Sequence, residues 1–71
     1  MIVLAEPIDL DTLRARAEFL EMPGLCVTVA QAARLFGLSQ ARAAEILIAL
    51  KRDGLLTEDH PGVYRRARAP S

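Results

Sequence analysis

TVAQAARLFGLSQARAAEILIALKRDG, residues 28–54, is the stretch whose reading decides the fold of this 71-residue chain. Its opening, Thr28-Val29-Ala30-Gln31, has the capping-box form in which Thr28 and Gln31 satisfy each other's free amides, so a helix starts there. Val29, Ala32, Ala33 and Phe36 form the apolar side of that helix, and Gly37 ends it at a left-handed position. Only Leu38 separates Gly37 from Ser39, the next good N-cap. Two helices joined by so short a turn cannot run antiparallel and must cross. In the next helix, at about residues 40–53, Ala43, Ile46, Leu47 and Leu50 recur at i, i+3, i+4 and i+7, the stripe of a helix lying on a core. Asp53-Gly54 stops it.

Upstream, Asp9 or Asp11 can cap a first helix at about residues 10–22, which Pro23-Gly24 terminates. The spacing of Leu10, Leu13, Ala17 and Leu20 predicts that these residues face inward. Leu25-Cys26-Val27 is a short β-prone link, and Cys26 reads as a small core residue. Downstream, Leu55–Glu58 and Val63–Arg66 flank a turn containing Pro61-Gly62 and predict a hairpin, with Leu56 and Tyr64 on its inner face. The expected organisation is an extended arm at 1–9, one domain at 10–66 and a disordered tail at 67–71. The fold class is mainly α with a small β-hairpin, three helices plus a wing.

QAARLFGLSQARAAEIL, from Gln31, resembles the helix-turn-helix motif of bacterial and phage DNA-binding transcriptional regulators. The correspondence rests on Ala33 where the helices touch, Gly37 in the turn, Leu38 behind it, Ser39-Gln40 opening the recognition helix, and Ile46 in the core. KRDGLLTEDHPGVYRR resembles the wing of the winged-helix members, in which the third helix ends in glycine and runs into a hairpin. One departure is Ala43, where such proteins more often carry valine or isoleucine. The resemblance implies a double-stranded DNA partner, with the third helix in the major groove and the 55–66 wing on the phosphate backbone.

The residues that would contact DNA are few. Gln40 can read adenine, Arg42 can read guanine or hold a phosphate, Glu45 can accept from cytosine, and Ser39 opens the groove-facing turn. Thr28 marks a helix N-terminus whose amides can meet phosphate, although its first role is the cap. Arg65 and Arg66 supply positive charge on the wing, and they read equally well as a solvated strand edge. Glu45 lies three residues from Arg42 and can neutralise it. The outer face of the third helix also carries Ala41, Ala44 and Ile48, so a protein-docking winged helix that does not touch DNA is the competing reading.

The formal net charge is zero, which gives no global pull toward a polyanion. Residues 1–33 carry −3 and residues 34–71 carry +3, so the positive end lies toward Arg65, Arg66 and Arg68. Apolar Ile2, Val3 and Leu4 are candidate dimer contacts. With one cysteine no disulfide closes within the chain, and the apolar opening is too short for a secretory signal, so a cytoplasmic location is expected. No apolar run is long enough to span a bilayer. His60 has no second ligand at metal spacing, Phe19, Phe36 and Tyr64 read as core, and no nucleophile, base and orienter can be assembled. Neither enzyme activity, metal nor cofactor is expected.

Overall fold

The computed structural model describes residues 9–67. The elements run α1 (Leu10–Glu21), β1 (Cys26–Thr28), α2 (Val29–Phe36), α3 (Gln40–Arg52), β2 (Leu56–His60) and β3 (Val63–Arg66). This is a mainly helical domain with a small hairpin, laid out as a winged helix-turn-helix. The dimer contacts expected at Ile2, Val3 and Leu4, like Arg68, lie outside the described residues.

Local chemistry explains the boundaries. Thr28 and Gln31 form the reciprocal capping box: the Gln31 amide donates to Thr28 Oγ1 at 3.2 Å, and the Thr28 amide donates to Gln31 Oε1 at 2.9 Å. At the far end of α2, Gly37 adopts φ 68°, where a β-carbon would be strained. The Leu38 amide donates to the Ala33 carbonyl at 2.8 Å and the Gly37 amide to Arg34 at 3.4 Å, the two bonds of a Schellman stop. The end of α3 repeats the device. Leu55 donates to Leu50 and Gly54 to Lys51, both at 3.0 Å, and Leu55 turns in against the core.

The sheet is antiparallel with strand order β1-β3-β2. The hairpin's return strand is therefore central. Cys26 and Thr57 flank Arg65 in register, so Arg65 and Arg66 stand on an inner strand, and of their two readings the solvated strand edge does not hold. Ala67, assigned to the tail by sequence, donates its amide to the Leu55 carbonyl at 2.8 Å and extends the pairing. Leu56 and Tyr64 face inward as expected.

The core is built on α3, where Ala43, Ile46, Leu47 and Leu50 are buried against Ala32, Ala33 and Phe36 of α2. Two expectations are overturned here. The face of α1 that docks carries Ala15 and Phe19, both fully buried, whereas Leu10, Leu13 and Leu20 are 73%, 48% and 42% exposed and Ala17 is exposed. The reason is volume: one phenylalanine fills the space between α1, α3 and β3, and alanine at residue 15 allows the helices to approach. Cys26 is also exposed, because a three-residue strand has one inward position and Val27 occupies it.

Candidate nucleic-acid interface

Helix α3 starts at Ser39, whose Oγ accepts from the Arg42 amide at 3.1 Å. Ser39, Gln40, Ala41 and Glu45 are exposed on its first two turns, and Arg42 and Ala44 are half-buried. Because the core takes Ala43, Ile46, Leu47 and Leu50, the outward line runs through Ala41, Ala44, Glu45 and Ile48. Gln40 therefore stands at the open N-terminal corner, where helix-turn-helix domains present side chains to base edges.

Arg42 does not project freely. Its Nη2 donates to Asp9 Oδ2, its Nε lies 3.9 Å from Asp11 Oδ2, and its Nη1 lies 3.6 Å from Glu45 Oε2. Asp9 is in turn the N-cap of α1, accepting from the Asp11 amide at 3.1 Å and from Thr12 Oγ1 at 2.8 Å. One aspartate thus starts α1 and ties it to the first turn of α3. The hydrogen bond from Arg42, followed by that from Thr12, lowers the Asp9 pKa from the ordinary 3.8 to about 2. Since the folded value lies below the ordinary one, the pair's contribution to stability is full above about pH 4 and is lost as pH falls through about 2. An NMR titration of the Asp9 carboxyl carbon should show a midpoint near 2, and Arg42→Ala should return most of the shift toward 3.8.

The wing is also internally paired. The Glu58 carboxylate accepts from the Gly62 amide at 2.5 Å and from Lys51 Nζ at 3.0 Å, which braces the hairpin turn and ties the wing to the end of α3. Those two bonds hold the Glu58 carboxyl below its usual range. Arg65 Nε donates to Asp59, and Arg65 Nη1 donates to the Arg66 carbonyl at 3.2 Å. Alternation sends Arg66 to the face shared with Tyr64 and Arg65 to the opposite one. The two arginines do not form a single patch. Arg34, Arg52 and Arg66 form no ion pair among the described residues, and Arg34 stands exposed on α2.

The expected site residues therefore separate into three groups. Ser39, Gln40, Arg42 and Glu45 come together at the start of α3; Thr28 is occupied with its cap; Arg65 and Arg66 diverge on β3. Sequence reading anticipated Glu45 beside Arg42 and missed Asp9, a residue 33 positions away that no local pattern connects to it. A cleft of about 380 Å³ lies elsewhere, lined by Arg16, Leu50, Asp53, Gly54 and Leu55. Among the described residues no group of three metal-ligating side chains converges, and no helix is long and apolar enough to cross a membrane. No protein-family model, no curated protein and no solved structure matches this chain.

Proposed function

We propose that this domain is a small cytoplasmic DNA-binding module, a transcriptional regulator or part of one, that sets α3 in the major groove and rests the β2–β3 wing on the backbone. The observation that supports it most is the layout itself. A tight α2–Gly37–α3 corner leaves Ser39, Gln40 and Glu45 exposed at the start of α3, and a braced hairpin follows in the same chain. Gln40 is the direct reader in this scheme, with a bidentate contact to adenine; Arg34 and Arg66 supply phosphate contacts. With Arg42 and Arg65 already held by carboxylates, few phosphate contacts remain, so binding is weak and its salt dependence shallow. No step requires a catalyst or cofactor.

Anisotropy of a labelled duplex against salt concentration tests this. Log affinity should fall linearly with log salt, and Arg34→Ala with Arg66→Ala should flatten the slope by about two units. Absence of binding to any duplex at low salt would overturn the reading. A specific observation favours the competing one: the outward line of α3 contains Ala41, Ala44 and Ile48, the last 45% exposed, which suits a protein partner better than a phosphate backbone. That reading gains ground if DNA binding fails.

A further inference from the structure

Helix α1 presents two apolar stripes, and only one is used within the chain. Ala15 and Phe19 enter the core, while Leu10, Leu13, Ala17 and Leu20 lie nearly opposite, in solvent. Their spacing of three, four and three is that of alternating a and d positions in a heptad, with leucine at both d positions. In that frame Arg14 and Glu21 occupy e positions and Arg16 a g position. We propose that this stripe is a homodimer seam, in which α1 packs in parallel against α1 of a second copy around a two-fold axis.

Charge complementarity specifies the occupant. In a parallel pair each g residue faces the e residue five positions on in the other helix. Arg16 then meets Glu21 of the second copy, twice by symmetry. Neither makes an ion pair within its own chain among the described residues, so both are available. Without a second helix, three exposed leucines on one face of a 12-residue helix have no cover among the described residues. With only two heptads the dimer is a weak one. The seam does not depend on the DNA reading, and its test contains no DNA.

Sedimentation equilibrium of the full chain should show the mass doubling as concentration rises into the high micromolar range. Leu13→Glu or Leu20→Glu should weaken the dimer on the order of 100-fold, since each substitution removes two leucines from the seam. Both sites are exposed in the single chain, so their thermal midpoints measured dilute should stay within a few degrees of the parent. Glu21→Arg alone should weaken association, and Arg16→Glu combined with Glu21→Arg should restore it. A chain that stays monomeric, or a dimer that survives Leu13→Glu, overturns the seam. Failure of the double exchange to restore association overturns the parallel pairing. A monomer that Leu13→Glu destabilises would mean that the chain covers its own stripe, which also overturns the proposal.

Discussion

Phe19→Ala should cost about 3–5 kcal/mol, most of the stability available to a domain of this size, and leave the chain largely unfolded at room temperature. Phe19 is completely buried, and its ring is the main connection between α1 and the rest of the core. An alanine there opens a cavity that the other small core residues, alanines among them, cannot collapse to fill. Leu13→Ala, on the same helix and read from sequence as inward, should change stability by less than about 0.5 kcal/mol when measured dilute, where association does not contribute. Urea unfolding of the two variants side by side decides the orientation of α1. If Leu13→Ala costs as much as Phe19→Ala, α1 packs its leucine stripe inward and the proposed seam has no basis.

That contrast shows which parts of the fold are legible in the sequence. Around α2 and α3 the signals are local: Thr28 with Gln31, Gly37, Ser39 and Gly54 act within four residues of themselves, and each sits at the helix end where its chemistry places it. For α1 the periodicity is genuine but has two solutions. The leucine stripe is the stronger by hydrophobicity, yet the Ala15–Phe19 stripe fits the gap left by α3 and β3, and nothing within residues 10–21 records the shape of that gap. Cys26 fails as a core residue for a similar reason. The alternation of β1 is fixed by its pairing with β3, far along the chain, and not by its apolar neighbours. Likewise the central position of β3 follows from that pairing, so Arg65 and Arg66 could not be read as inner-strand residues from the hairpin alone.

The same long-range blindness hid Asp9, and releasing Arg42 from it gives the largest expected effect on DNA binding. Asp9→Asn keeps the start of α1, because asparagine caps a helix about as well as aspartate, but removes the charge that holds the Arg42 guanidinium. Asp11 and Glu45 remain nearby at 3.9 and 3.6 Å, too long to fix the side chain as Asp9 does. Arg42 can then extend from the first turn of α3 to a phosphate or a guanine edge. Duplex affinity at low salt should rise on the order of tenfold, near the lower end of what one bidentate contact adds. If the new contact is to phosphate, the dependence of log affinity on log salt should steepen by about 0.9 units. Arg42→Ala in the Asp9→Asn background should cancel the gain, whereas Arg42→Ala alone should have little effect on binding. An Asp9→Asn variant that binds DNA no better than the parent, with its helices intact by circular dichroism, would mean that the start of α3 does not face the groove. The outer Ala41–Ile48 line would then be the surface to test against protein partners.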